Sequence, residues 1–328
     1  MEKIFVIGDP HFDESNSQET DKLHSKCEEI LETRRNEISM IVVLGDVSDK
    51  GDYVHHSVIA RILSFFNMLS SFCPVYVLVG NHDRPNPKVF LTNEHILQIL
   101  YPIRGITVVE RCHTMEWKGK KICMMPYVQN GLFHKACKKC GIKIKQFDLF
   151  FSHQEFKGCK INKLNGEDCD VWSSDYPLNI AGHIHDYEHL DNLIYVGTPY
   201  QHGFSERPFK GVWLLDENLE LERIELDIPK KIHHKINYSE IESLILEKGA
   251  IHKVTITGPR EECRDIVHAN SEKFIGVKII YKNLKKGEVK KRKASSVSNL
   301  STEERVKKAM KSDPILKRVY EKYIKESE

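Results

Sequence analysis

Three apolar runs in this chain end alike. IFVIGDPHF (residues 4–12), MIVVLGDVSDKG (40–51) and VYVLVGNHDRPN (75–86) each read as a strand that stops on glycine and then delivers polar or ionisable residues at once. Near-continuous apolar strands are what a parallel sheet needs when both of its faces are covered. Helical patterns fill the gaps: Leu23, Cys27, Ile30 and Leu31 recur at helical spacing, as do Val58, Ile62, Phe65, Phe66 and Leu69. The alternation predicts an α/β fold, and ligands of such sheets collect at the carboxyl ends of the strands. That is where these polar residues stand.

Later strand-like runs, at 121–125, 147–151, 178–181 and 193–196, lie closer together and predict a second sheet with hairpins. GVWLLDENLELERIEL (211–226) reads as one hairpin around Asp216–Asn218. Two sheets with helices outside make a layered sandwich over residues 1–228. Pro229, Lys230 and Lys231 mark a boundary. Beyond it, SEIESLILEKG and REECRDIVHANSEKF look helical and IHKVTIT and GVKIIYK look like strands, a small αβ module over 229–284. A basic linker (285–300) leads to two C-terminal helices (301–328). Ser301 with Glu304 fits a capping box there, and Pro314 fits the first turn of the second helix. That helix carries an apolar stripe, including Ile315, Val319 and Tyr323, which must be buried on the body or on a partner.

No apolar run approaches the ~20 residues that span a bilayer. The N-terminus enters a strand directly, without a signal-peptide layout. A soluble intracellular protein is expected, without membrane contact. Nine scattered cysteines suit a reducing compartment. Cys137 and Cys140 (CKKC) could begin a zinc knuckle with Cys159 and Cys169, but no second pair completes it, so incidental thiols are expected. The chain as a whole has a formal charge of +2, yet from Lys282 onward fifteen Lys and Arg face seven Asp and Glu, a net +8 that leaves about −6 for the rest. A basic tail on an acidic body suits a nucleic acid or an acidic partner.

The strand exits carry the chemistry. Asp9 and His11 follow the first run, Asp46 the second, and Asn81 and His82 the third; FDLFFSHQEF adds His153, and NIAGHIHD adds His183 and His185. Carboxylate, imidazole and amide ligands together suit Mn, Fe or Zn, with Mg also conceivable, and fit an all-oxygen calcium site poorly. Seven such ligands exceed the needs of one ion but serve two if one carboxylate bridges, and Asp46, on a central strand, is the natural bridge. Two ions roughly 3.5–4 Å apart can activate water and clamp the attacking and leaving oxygens of a phosphoryl group. A single histidine at a strand end is usually only a satisfied polar residue. Five strand exits all bearing ligand types are not.

GDPH, GDVSD, GNHD, a lone histidine after a strand, and GHIH, in that order, resemble the five blocks of the calcineurin-like metallophosphoesterases. The resemblance implies one ion held by Asp9, His11, Asp46 and His185, and another by Asp46, Asn81, His153 and His183. It also implies that His82 contacts the scissile phosphate and stabilises or protonates the leaving oxygen. FFSHQEFKG and IYVGTPYQHGFSERPFKGVWLLD look like the matching segments of SbcD-type nucleases and their bacteriophage recombination-nuclease relatives. Membership of that group would imply a manganese-dependent DNA nuclease of double-strand-break repair, acting 3′-to-5′ on duplex ends and as a single-strand endonuclease. The module at 229–284 would be its DNA-capping domain, and 301–328 would grip the coiled coil of an SbcC-type ABC ATPase. Some members carry histidine three residues past the bridging aspartate; here that position is Asp49, a second catalytic candidate, which bears on the exonuclease–endonuclease balance. Helices near 54–71 and 89–100 (Phe65, Phe66, Met68, Ile96, Ile99, Leu100) would offer a homodimer surface unless those residues are core. A small-molecule or cyclic-nucleotide phosphodiesterase, which shares GNHD and GHIH, is the alternative.

Overall fold

Strand β1 (Lys3–Ile7) shows why the first run is apolar throughout: Phe5 and Ile7 face one hydrophobic core, Ile4 and Val6 another, and all four are wholly buried. The computed structural model describes residues 2–159 and 169–282. Strands β2 (Ile38–Val43), β3 (Val75–Leu78) and β4 (Ile106–Val109) continue the sheet in parallel from β1. Helices α1 (Ser17–Thr33) and α2 (His56–Phe72) make the crossovers and bury Leu23, Cys27 and Leu31, and Val58, Ile62, Phe65, Phe66 and Leu69, on its outer face. Each such aliphatic or aromatic side chain contributes about 1.5–3 kcal/mol on burial.

The second sheet is built from β5 (His113–Trp117), β6 (Lys120–Met125), β7 (Leu149–His153), β8 (Leu178–Gly182), β9 (Glu188–Leu190) and β10 (Leu193–Tyr195), in the order β5-β6-β7-β8-β10-β9. Its centre is parallel, and only β5 and β9 run against their neighbours. Its inner residues, among them Ile122, Met124, Phe151 and Ile180, meet Ile4, Val6, Val42 and Leu44 of the first sheet. Its outer face, with Cys123, Phe150 and Tyr195, packs on α3 (Phe133–Lys139). The expected hairpin is β11 (Val212–Leu215) and β12 (Leu221–Ile224), with β11 antiparallel beside β1. The result is an α/β sandwich of two mixed sheets flanked by helices.

From Lys231 a third sheet follows: β13 (Lys231–Asn237), β14 (Ile251–Thr257), helix α4 (Arg260–Ala269) and β15 (Lys278–Lys282), with all pairings parallel. It closes a small core of its own around Ile241, Val254, Ile256, Cys263 and Phe274. Gln201, 6% exposed, binds both the N–H and the carbonyl of Lys231, tying the start of β13 to the loop after β10.

Two expected helices are absent. Over 89–100 only Ile96–Leu100 forms a short 3₁₀ turn, because Asn86 and Thr92 side chains accept from the backbone N–H of Lys88 and Glu94, competing with a helix. Over 239–249 a 3₁₀ turn, Tyr238–Glu240, gives way to turns; Ile241 and Leu244 reach the core from them, and Ile245 stays exposed. Phe65, Phe66, Met68 and Leu100 are buried in the chain's own core, and Ile96 and Ile99 pack against it, so core burial accounts for the apolar surface that suggested a dimer. All nine cysteines are free thiols, and among the described residues none belongs to a group of three ligands close enough for one ion. No described helix is long and apolar enough to cross a membrane. The linker at 285–300 and the tail at 301–328, with the ATPase contact expected of it, lie outside the described residues.

Candidate metal centre

The carboxyl ends of both sheets converge on one point. Asp9 and His11 leave β1, Asp46 leaves β2 and Asn81 and His82 leave β3, while His153 ends β7 and His183 and His185 follow β8. All seven expected ligands meet there. Asp9, His11 and His185 each offer one ligand atom within 4.8 Å of the others, and so do Asp46, His153 and His183. Asn81 Oδ1 joins the second group, 3.1 Å from His153 Nε2 and 2.8 Å from His183 Nδ1. Asp46 Oδ2 lies 3.1 Å from His153 Nε2 and 3.7 Å from His11 Nε2, between the two groups, as a bridging carboxylate would. The second oxygens are tethered: Asp46 Oδ1 accepts from the His82 N–H and Asp9 Oδ2 from the His183 N–H.

The backbone is bent to achieve this. His11, Asp46 and His183 have φ of 44°, 46° and 80°, a left-handed region that side chains rarely occupy unless the surroundings enforce it. The glycines before the ligands serve mostly another need than a turn. A Cβ on Gly80 would stand 2.1 Å from Asp46 Oδ1, and one on Gly182 would stand 2.4 Å from Asp9 Oδ1. Only Gly45, at φ +107°, also needs the conformational freedom of glycine. Asp83, wholly buried, clamps two of the loops by accepting from the Ser48 and Gly80 N–H groups; burial and the neighbouring Asp46 push it up to about 6.

The donor set fits divalent cations. Asp9 Oδ1 and His11 Nε2 are buried without a hydrogen-bond partner, each an omission costing about 1–3 kcal/mol that a cation would remove. Burial would neutralise His153, but Asp46 and Asp9 overcome it and hold the imidazole at about 9. Burial works against Asp46 too, and the His153 charge keeps it ionised far below the usual carboxylate range. His183 is pushed down to about 3, by burial first and then by the charge on His153. In the chain alone, a proton on His153 does the balancing that a cation would do.

The family profile of the calcineurin-like phosphoesterases matches residues 2–197. The chain belongs to that family. It is 31% identical over 264 residues to phosphoesterase 244L of Invertebrate iridescent virus 6, covering 77% of this chain and 92% of that one. Phosphoesterase 078R of Invertebrate iridescent virus 3 is 32% identical over 233 residues, covering 69% and 67%. Both viral proteins carry that activity as a candidate assignment. Exonuclease subunit 1 of Enterobacteria phage T4 is 24% identical over 213 residues, 63% of this chain and 61% of the phage protein.

In this phosphoesterase the two candidate catalytic residues flank the ligands. His82 is exposed, its ring edge-on to His11 with centroids 4.9 Å apart. Asp49 stands behind both rings: its Oδ1 is 3.2 Å from His11 Nδ1 and its carbonyl 2.8 Å from His82 Nδ1. It orients imidazoles from there. His153 Nδ1 is held by the Leu44 carbonyl at 2.7 Å. The sequence reading missed His202, whose ring lies 4.9 Å from that of His11 and whose Nε2 is 3.3 Å from the Asp9 carbonyl. It missed Tyr127 as well, packed 5.7 Å from His183. Neither stands directly after a strand-ending glycine, the pattern that marked the others; the quoted segment IYVGTPYQHGF, which contains His202, was the signal that could have found one of them.

Adding Mn²⁺ to chelator-treated phosphoesterase at a hundred times the dissociation constant should stabilise it by about 2.7 kcal/mol per ion, raising Tm by roughly 5–10 °C for each ion bound. His153 sets the pH dependence. Its folded value of about 9 exceeds the ordinary 6.5, so its stabilisation of the metal-free chain is complete below 6.5 and is lost as pH rises towards 9. Cation uptake must displace that proton, so the metal-induced shift should grow between about pH 6.5 and 8.5. Thermal scans at fixed free Mn²⁺ check both; a shift that is absent, or that shrinks with pH, contradicts the ligand assignment.

Proposed function

We propose that this phosphoesterase is a metal-dependent nuclease that hydrolyses the phosphodiester backbone of DNA. One observation carries the choice of substrate: the open face of the third sheet is basic and adjoins the metal centre. Strands KIHHKIN, VTIT-ending IHKVTIT and KIIYK contain no Asp or Glu. One face buries His252, Val254 and Ile256 on the small core. The other presents Lys235, Lys253, Lys278 and Lys282, with His233, Lys253 and Lys278 side by side across the three strands. This face runs on to the site. Lys253 Nζ lies 5.8 Å over the Phe204 ring, and Lys231 Nζ donates to the carbonyl of His202, the neighbour of His11. Lysines on one open face, with Lys253 and Lys278 on adjacent strands, concentrate the positive charge that a phosphate backbone attracts. The likeness to the phage exonuclease subunit supports a nuclease.

When bound, two divalent cations, manganese on this proposal, would supply the Lewis acidity that activates water and draws charge from the phosphoryl oxygens. Asp9, His11, Asp46 and His185 would hold one and Asp46, Asn81, His153 and His183 the other. His82, exposed beside them, would hold or deliver a proton at the leaving oxygen. Trimming of duplex ends and cutting of single strands are the activities assigned. Purified protein incubated with end-labelled duplex and single-stranded DNA should degrade both in Mn²⁺ and neither in EDTA. Turnover of nucleotide diesters with DNA left intact would instead identify a small-molecule phosphodiesterase.

The basic face has its own test. Lys253→Glu with Lys278→Glu should weaken DNA binding about 10–100-fold near 0.1 M salt and flatten the salt dependence by about one unit of log–log slope per lost phosphate contact. Turnover of a small chromogenic diester should stay within about twofold, since neither residue touches the ligands. Equal loss with both substrates would place the damage in the fold, and no loss with DNA would remove the face from the binding path.

A further inference from the structure

His185 is held from behind by a residue that no strand exit supplies. Its Nδ1 lies 3.1 Å from Glu206 Oε1, and Glu206 is itself fixed: Oε2 accepts from the His202 N–H at 3.0 Å and from Lys210 Nζ at 3.1 Å. Lys210 is 6% exposed, far less than a surface lysine, and its ammonium also donates to the His185 carbonyl at 2.6 Å and to Asp186 Oδ1 at 3.2 Å. The lysine is therefore organised around the His185 segment, and the carboxylate is pinned between the lysine and the imidazole. Gln201 adds a third tie, donating to the Glu206 carbonyl at 2.9 Å while it holds Lys231.

We infer that Glu206 is a positioning residue for the metal centre, which orients His185 so that its Nε2 faces the ion shared with Asp9 and His11. A carboxylate accepts and does not donate, so the proton of the neutral ring sits on Nδ1 and the lone pair on Nε2. A carboxylate behind a ligating imidazole also makes it the stronger donor. His11 has the same support from Asp49, whereas His153 is backed by an uncharged carbonyl. Glu206 is thus expected to act on one ion and not on the other. The inference rests on the two-ion reading and is independent of the substrate.

Full-length protein stripped by chelation and titrated with Mn²⁺ by calorimetry should bind two ions. Glu206→Gln should raise the dissociation constant of one about 10–100-fold and leave the other within about threefold. Its diesterase activity should recover at high Mn²⁺, a rescue that a merely structural lesion would not show. Two ions bound as tightly by the variant as by the unaltered protein would overturn the inference alone; fewer than two in the unaltered protein would overturn the two-ion reading and this with it. A second measurement needs no variant. Long-range ¹H–¹⁵N spectra of the zinc-loaded protein should show His185 protonated at Nδ1, and protonation at Nε2 would overturn the assignment.

Discussion

Asp46→Asn is expected to leave the chain folded, unable to hold two ions together, and at least about 10³-fold less active on any phosphodiester, a loss of roughly 4 kcal/mol of transition-state stabilisation. The choice of asparagine matters. Position 46 has φ 46°, which asparagine tolerates better than most residues, so the backbone is not strained by the change. The amide oxygen can still accept from the His82 N–H, which lies 2.8 Å from Asp46 Oδ1. What disappears is the negative charge of Oδ2, the atom placed between His153 at 3.1 Å and His11 at 3.7 Å. Two cations about 4 Å apart repel strongly in a buried site unless an anion lies between them. Metal content by elemental analysis and turnover of a chromogenic diester read the two effects separately. Two tightly held ions with more than a tenth of the activity would show that Asp46 is not the bridge.

The ligands were legible because each follows a strand whose burial on both faces can be read from its composition. Ile4–Ile7 and Ile41–Leu44 leave no polar position to confuse the register, and the parallel order then puts Asp9, Asp46 and Asn81 side by side. His153 and His183 come from the other sheet, and no local pattern says that the two sheets face each other with their carboxyl ends together. The resemblance to a family supplied that step, and the distances agree with it. Glu206, His202 and Tyr127 stayed hidden because they sit on irregular segments whose neighbours are set by tertiary packing. That the strands stop on glycine is plain in the sequence, but the reason at Gly80 and Gly182, the closeness of a ligand's own carboxylate, shows only in the folded chain. The failed helices at 89–100 and 239–249 show that apolar residues at helical spacing are only permissive. Over 89–100 side-chain caps from Asn86 and Thr92 compete with the helix. Over 239–249 Ile241 and Leu244 reach the core from turns, and Ile245 stays exposed.

His82→Ser should separate metal binding from bond breaking. His82 does group with His11 and Asp49, each offering one atom within 4.8 Å of the others, but it is exposed and neither set of four expected ligands needs it to be complete. Its Nδ1 lies 2.8 Å from the Asp49 carbonyl. A carbonyl can only accept, so Nδ1 carries a hydrogen and Nε2 is left for the substrate side of the exposed ring. With a second proton on Nε2, as imidazolium, a group so placed can give that proton to a leaving oxygen and return to the neutral Nδ1–H form, and such assistance is worth about 10²–10⁴-fold. The loss should therefore depend on the leaving group. With DNA, whose departing sugar oxygen is strongly basic, kcat should fall by about 10²–10⁴. With a p-nitrophenyl diester, whose phenolate leaves unaided, the fall should be under about tenfold, because little proton transfer is needed there. Manganese uptake should match that of the unaltered protein. Equal losses on the two substrates would mean that His82 binds the phosphate in both and protonates neither, and lost manganese would make it a ligand after all.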